Sequence, residues 1–497
     1  MGTLDNRLYE WFGYSSFKHN QREIIESVLS GEDVFLMTAT GSGKSLCYQL
    51  PALLKQGTAI IVSPLLALME NQVQELKQLG IKNVASYNSF LSLKEKKSVL
   101  NRLPEYKLIY ISPESLQQKD VLDKLSRLNV SLLAVDEAHC ISQWGHEFRT
   151  DYLKIGEARN KMGSPPCLAL TATAAPEVRK DILDKLNMKD PVIKCDTVDR
   201  TNISIRTIKK ETEEEKRIEL IDCVRKLPKP GMVYVGSRKK AEELAEAIKN
   251  EMPFAASAYH GGMTKEDRHL IQQQFLLDEV QIICCTNAFG MGINKPNIRF
   301  VIHFDYPKDI ESYVQEMGRA GRDGQRSTSI LLYTEIDHVF PRKMIEWEFP
   351  TEEEVQYICE VLRTDDSHDV TRKRVESYGF EDVHARFISH YWEEWRNKED
   401  ARSQEEFINM VIKRRKGWKF NKLIQMEEWI SNNNKCRRET LLETFGETLQ
   451  SPAKQCCDVC GITEPLEDVD EAGDAGFPMM SWQDRLYALL QQQTHKG

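Results

Sequence analysis

Short, continuously apolar runs alternate with segments of helical period through the first 340 residues, and this leaves few folds open. The runs are VFLM (34–37), AIIVS (59–63), LIYIS (108–112), LLAVD (132–136) and CLALTAT (167–173). Runs of this length and composition are strands buried on both faces, which belong to parallel sheets covered by helices. LMENQVQELKQLG (68–80) is one such amphipathic helix between them. The series pauses at an alternating stretch, NISIRTI (202–208), and a charge run expected to be solvated, KKETEEEKR (209–217). It resumes with MVYV (232–235), QIICCT (281–286), RFVIHFD (299–305) and SILLYT (329–334). The expectation is an α/β chain with two parallel-sheet lobes, over 1–200 and 201–340, with no repeat detectable between them.

Beyond 341 the strand signal stops. Residues 350–445 read as helical and highly charged, so 341–465 is expected to be a helical module. The remainder, 466–497, reads as an acidic linker, EDVDEAGDAG (467–476), and one short amphipathic helix, SWQDRLYALLQQQ (481–493), with Ser481 as its N-cap. No apolar run approaches the roughly 18 residues of a membrane span. The start, MGTLDNRLYEWFGY, lacks the basic-then-apolar pattern of a secretory signal. A cytosolic chain is expected, and in that compartment the scattered cysteines at 47, 140, 167, 195, 223, 284, 285 and 359 are reduced, mostly buried thiols. The net charge of −9 argues only mildly against a nucleic-acid partner, which needs a basic path rather than a basic whole.

Three motifs carry chemistry. TATGSGKS (38–45) follows one strand run and precedes a helical pattern, the setting a phosphate-binding loop requires. Thr40, Gly41, Ser42 and Gly43 would close backbone N–H groups around phosphates, Lys44 would reach the β- and γ-phosphates, and Ser45 would bind Mg²⁺. Thr38 stands where the common pattern has its first glycine. DEAH (136–139) ends another buried strand, where ligands bind in parallel sheets. Asp136 would hold Mg²⁺, Glu137 would orient and deprotonate the attacking water, and His139 completes the motif. In QEMGRAGRDG (315–324), Arg319 and Arg322 are three apart and would share a helix face. Turned toward the first lobe's phosphates, they would supply the charge of an arginine finger; turned outward, they form a solvated basic helix.

These motifs, in this order on two lobes, resemble helicase superfamily 2. FGYSSFKHNQ (12–21) and CISQWGHEFR (140–149), directly after DEAH, narrow the resemblance to the RecQ helicases. IVSPLLALMENQV (61–73), TATA (171–174), YHGGM (259–263) and TNAFGMGINKPNIRFVIH (286–303) agree with it. The similarity spans roughly residues 5–462 and implies two RecA-like lobes and a DNA-stimulated ATPase moving 3′ to 5′ along one strand, in DNA repair, recombination or replication. By resemblance Gln21 would read the adenine edge, with Lys18 where the family usually has arginine. Trp144, His146, Phe148 and Arg149 would form an aromatic-rich loop coupling DNA to the catalytic water, with Glu147 replacing the usual aspartate. Ser63, Pro64, Ser237, Arg238 and Thr286 would line the phosphate track of a single strand, although each could equally cap the helix that follows it.

Cys436, Cys456, Cys457 and Cys460 crowd the end of the chain, with a chelating CxxC step at 457–460. Four thiolates make a closed tetrahedral Zn²⁺ site. The adjacent pair followed by DxxC resembles a variant spacing among RecQ proteins. Upstream, KRRKGWKFNK (413–422) reads either as a solvated helix face or as a duplex-phosphate contact. Too few residues follow Cys460 for the winged-helix and HRDC domains of longer relatives. The expected cofactors are ATP, Mg²⁺ and Zn²⁺. The expected partners are single-stranded and forked DNA and a single-strand-binding protein, for a monomer in the cytoplasm, associated with the nucleoid and not with a membrane. Two other classes stay open: an RNA helicase, and an ATP-switched DNA-binding or strand-annealing protein.

Overall fold

The computed structural model describes residues 4–39, 41–142, 149–252, 254–287, 289, 295–364, 382–398, 402–450, 453 and 455–462. Thr40, Trp144, His146, Phe148, the acidic stretch 467–476 and the segment 481–493 lie outside these residues.

Two parallel sheets account for the first 333 residues. The first holds β1 (Val34–Met37), β2 (Thr58–Val62), β3 (Val84–Tyr87), β4 (Leu108–Ile111), β5 (Val130–Val135), β6 (Cys167–Thr171) and β7 (Val192–Cys195), in the order β3-β4-β2-β5-β6-β1-β7. The second holds β8 (Ile203–Lys209), β9 (Gly231–Tyr234), β10 (Ala256–Tyr259), β11 (Ile282–Cys285), β12 (Phe300–His303) and β13 (Ser327–Tyr333), in the order β10-β11-β9-β12-β13-β8. The α/β class is as expected, and every apolar run foreseen as a strand is one. Four strands have no such run: β8, which is the alternating stretch, and β3, β7 and β10. Each lies at a sheet edge, and β7 alternates half-buried and exposed residues. An edge strand is open to solvent along one side, so VASY, VIKC and ASAY carry no continuous apolar signal.

The charge run 209–217 is not wholly solvated. Thr212 accepts a hydrogen bond from Glu215 N and starts the helix Glu213–Lys226 inside the run. Lys216 is fully buried, its Nζ 2.6 Å from Asp337 and 4.4 Å from the Phe304 ring centroid. Such a charge sits inside only because a carboxylate faces it.

The helical part comprises Glu352–Thr364, Asp382–Lys398, Gln404–Ser431 and Arg437–Thr444. Ser403 and Glu406 form a reciprocal capping box that fixes where the longest of these begins. The basic run on this helix is split. Arg415, Lys419 and Lys422 are buried, while Lys413 and Arg414 are exposed. Lys422 Nζ bonds Glu311 Oε1 at 2.7 Å, Lys419 pairs with Glu348, and Arg415 lies against Phe349 and Phe387. Lys422 therefore staples the helix to the second lobe, Lys419 and Arg415 hold it within the helical module, and this half of the run is out of reach of any phosphate. Lys154 of the first lobe pairs with Glu393 at 2.8 Å, so the module touches both lobes. A single buried cluster runs from Phe35 and Val135 through Tyr313 and Leu331 to Trp429, Leu442 and Cys457. Among the described residues no helix is long and apolar enough to cross a membrane.

Candidate nucleotide cleft and cysteine cluster

The phosphate loop leaves the carboxyl end of β1, where Thr38 N donates to Thr171 O on the neighbouring β6. Gly41 (φ +84°) and Gly43 (φ +85°) occupy the left-handed region that favours glycine. Space forbids a side chain as well. A Cβ at Gly43 would lie 2.7 Å from Gln21 Nε2, and one at Gly41 would lie 2.7 Å from Arg322 Cδ. The second contact crosses between lobes, so Arg322 rests directly on the phosphate loop. Ser45 leads into the helix Leu46–Leu54, and its hydroxyl makes no capping bond. The Lys44 ammonium is shielded from solvent with no hydrogen-bond partner.

Asp136 and Glu137 sit just past β5, beside β2, with Asp136 N bonded to Val62 O. Burial and the adjacent Glu137 carboxylate push Asp136 up to about 6, with Lys44 pulling the other way. Glu137 is buried and holds φ +48°, a conformation of order 1–3 kcal/mol unfavourable for a side-chain-bearing residue. His139 is fully buried, with Nδ1 2.9 Å from Thr171 Oγ1 and 3.4 Å from Glu137 Oε2. It thus ties the acidic motif to the TATA segment.

Arg319 and Arg322 do not share a helix face. The helix Ile310–Met317 stops before them, and both project from the following turn. The turn is fixed by Gly321 at φ +55°, where a Cβ would lie 2.4 Å from Asn202 Nδ2. Burial, with Arg319 and Arg200 alongside, pushes Arg322 down to about 9, so it remains charged at neutral pH. Cations gathered on a buried wall favour an anion between them.

These groups converge on one cleft of about 470 Å³, lined by Lys18, Gln21, Gly41, Gly43, Lys44, Ser45, Asp136 and Glu137 from the first lobe and Gln315, Arg319 and Arg322 from the second. An unpartnered ammonium, a carboxylate pair disfavoured by its own charge, and facing guanidinium groups are complementary to a polyphosphate with a divalent cation. Tyr14 and Gln315 also line the cleft and were not singled out from sequence. Tyr14 is 59% exposed, a flat ring open to stacking. Its signal was an aromatic upstream of Gln21; that of Gln315 was its place at the head of the QEMGRAGR motif. The Gln21 amide is engaged at both ends. Oε1 accepts from Lys18 N at 2.8 Å, and Nε2 donates to Ser42 O and Gly43 O at 3.2 Å each.

The sulfurs of Cys436, Cys456, Cys457 and Cys460 all lie within 4.8 Å of one another. Zn–S bonds of about 2.3 Å in a tetrahedron put sulfurs about 3.8 Å apart, so the cluster fits Zn²⁺. Without an ion between them the thiols share their protons: hydrogen bonds from Cys456 and from the backbone N–H groups of Arg437 and Cys460 lower Cys457, while Cys456 and Cys460 are pushed up.

Residues 18–182 match the DEAD/DEAH box helicase family, 215–324 the helicase conserved C-terminal domain, and 398–461 the RecQ zinc-binding family. Over 498 residues, 99% of either chain, the protein is 42% identical to the probable ATP-dependent DNA helicase RecS of Bacillus subtilis. The chain belongs to the RecQ helicase family. Its RecQ relative from Pasteurella multocida, an ATP-dependent DNA helicase, is 42% identical over 341 residues, which cover 68% of this chain and 53% of that one. Among solved structures, the DEAD-box helicase Mss116 bound to single-stranded RNA matches at 19% identity with TM-score 0.58, over 90% of this chain and 96% of its own. The Mycobacterium smegmatis helicase Lhr bound to single-stranded DNA matches at 20% identity with TM-score 0.56, over 69% of this chain and 50% of its own. Both show the two-lobed fold.

In this RecQ-family chain, the residues expected along a strand track fall in loops after β2, β9 and β11 and beyond the acidic motif. Ser63 is buried, with its hydroxyl lacking a hydrogen-bond partner. Pro64 O accepts from Arg149 Nη1 at 3.3 Å, joining two of the expected contacts. The Ser237 side chain accepts from Lys240 N and caps the helix Arg238–Glu251, so the capping role is realised there. Thr286 stands at the end of β11, its N–H donating to Tyr259 O.

Proposed function

We propose that the chain is an ATP-dependent DNA helicase that moves 3′ to 5′ on single-stranded DNA and unwinds forked duplexes in DNA repair, recombination or replication. The observation that carries this reading is the cleft itself, with the phosphate loop and acidic pair on one wall and Arg319 and Arg322 on the other. Lys44 and the amides of Thr40 to Gly43 bind phosphate, Ser45 and Asp136 hold Mg²⁺, and Glu137 receives the proton of the attacking water. His139, behind Glu137, fixes the direction of its carboxylate. Arg322, with Arg319, stabilises charge on the transferred phosphoryl group. Mg²⁺ held by Ser45 and Asp136 would supply further positive charge to the phosphoryl group. Lys18 and Tyr14 flank the base, and Gln21 exchanges its bonds to the phosphate loop for the adenine edge. Closure of the lobes on ATP and their release after hydrolysis move a strand held by Ser63, Pro64, Arg149, Ser237, Arg238 and Thr286, with Trp144, His146 and Phe148 contacting bases. A monomer acting in the cytoplasm at the nucleoid, with single-strand-binding protein as a partner, accords with this activity.

Strand displacement on duplexes with 3′ or 5′ single-stranded tails tests the proposal, with Lys44→Ala as the control. Unwinding of the 3′-tailed substrate alone, lost in the control, is the expected result. ATP-independent annealing without displacement would establish the DNA-binding alternative, and stimulation of hydrolysis by RNA rather than DNA would move the substrate to RNA. Glu137→Gln should lower kcat at least about a hundredfold while ATP still binds, because it keeps the size of the side chain and removes the base. A variant turning over at the parent rate would place the base elsewhere.

A further inference from the structure

The segment joining the lobes is held in an unusual way. Arg200 lies between β7 and β8, outside the phosphate loop, the acidic motif and the arginine-bearing turn. Its guanidinium donates to Gly318 O at 2.9 Å, Ala320 O at 3.0 Å and Gly321 O at 2.8 Å. Those carbonyls belong to the turn that carries Arg319 and Arg322. Asn202 Nδ2 adds bonds to Gly321 O at 2.9 Å and Gln325 O at 2.8 Å. The three acceptors lie just past the C-terminal end of the helix Ile310–Met317, where the helix dipole also favours a cation.

The linker is gripped in turn from the cysteine module. Arg438, two residues after Cys436, is 1% exposed. It donates to Arg200 O at 3.0 Å and Cys456 O at 3.4 Å, and it also bonds Asp199 and Ile203 O. Glu447 Oε1 accepts from Val198 N at 3.1 Å. An unbroken series of bonds therefore leads from the cysteine cluster through Arg438 and Arg200 to the turn whose Arg322 rests on Gly41.

We propose that Arg200 is a positioning residue for the arginine pair, holding the Gly318–Gly321 turn so that Arg319 and Arg322 face the phosphates, and that Arg438 anchors Arg200 from the cysteine module. This rests on the reading of Arg319 and Arg322 as the groups that act on the transferred phosphoryl. Arg200 is not among the residues that line the cleft. Its effect reaches the reaction through the placement of other side chains, where a shift of about 1 Å can cost a hundredfold.

The test is a double-mutant cycle on the full chain with saturating single-stranded DNA, run well below the melting temperature of the least stable variant. Arg200→Ala should lower kcat about tenfold to a hundredfold, with KM for ATP and affinity for a fluorescent ADP analogue within about twofold of the parent. On an Arg322→Ala background the same substitution should add less than about a twofold further loss, since the group it positions is gone. Asn202→Ala, which removes one bond to the turn and one to Gln325 beyond it, should give a smaller loss of the same kind and serves if Arg200→Ala folds poorly. Parent kcat in both Arg200→Ala and Asn202→Ala, or an equal fold loss with and without Arg322, overturns the proposal. If Arg322→Ala itself retains parent kcat, the finger reading is what fails. If Arg322→Ala is slow and Arg200→Ala is not, only the role of Arg200 fails.

Discussion

Arg322→Ala is expected to lower kcat for DNA-stimulated ATP hydrolysis about a thousandfold, the lower range for a lost arginine finger, while nucleotide affinity changes by only a few fold. Arg322 lies against Gly41 across the lobe boundary, is pushed down to about 9 by burial and two neighbouring arginines, and faces the unpartnered Lys44 ammonium in one cleft. A group so placed strengthens its interaction as charge develops on the transferred phosphoryl, and binds the ground state weakly. Arg322→Lys should recover little, because an ammonium cannot reproduce the planar fork of donors. Single-turnover hydrolysis alongside equilibrium binding of a fluorescent nucleotide separates the two quantities. Equal losses in affinity and turnover would make Arg322 a binding residue only.

Replacing Cys457 by alanine is expected to abolish zinc binding and to lower the thermal midpoint by about 10 °C or more. A structural zinc site contributes on the order of 10 kcal/mol, and in a domain of this size each kcal/mol is worth roughly 2–4 °C. The consequence reaches beyond the cysteines. Arg437, fully buried, bonds Asp458 Oδ1 at 2.6 Å and the carbonyls of Trp429 and Ile430, so loss of the 456–460 turn leaves a buried guanidinium without its carboxylate. Metal analysis and calorimetry on the same samples decide it. One zinc per parent chain and none in the variant, with the shifted midpoint, is the expected pair. A full zinc content in Cys457→Ala would remove that residue from the ligand set.

What was legible in the sequence is what is local. Gly41, Gly43 and Lys44 share one loop, Asp136 and Glu137 adjoin one strand end, and three of the four cysteines fall within five positions, so each reads as a unit. Central strands were legible because burial on both faces makes them uniformly apolar; β3, β7 and β10 were not, because each has an open side. The turn carrying Arg319 and Arg322 read as helix since its spacing fits one; the helix stops at Met317, and the left-handed Gly321 shapes the turn that follows. Arg415, Lys419 and Lys422 looked like surface because their carboxylate and aromatic partners come from distant segments, Glu348 and Glu311 among them. Arg200 was invisible for the same reason: its acceptors lie more than a hundred residues away and are backbone atoms without a sequence signature.

The last residues of the cysteine cluster do more than hold metal. Ile205 N donates to Cys456 O at 3.1 Å and Asp458 N donates to Ile205 O at 3.0 Å, a parallel bridge laid along β8, the outermost strand of the second sheet. Thr207 adds a bond to the Asp458 carboxylate. A strand in that position otherwise offers a row of bare amides and carbonyls to any passing chain. The knuckle is thus a seal on a border that would template intermolecular pairing, and a version of this protein trimmed back to its two lobes would be prone to clump before any shortfall in its chemistry was noticed.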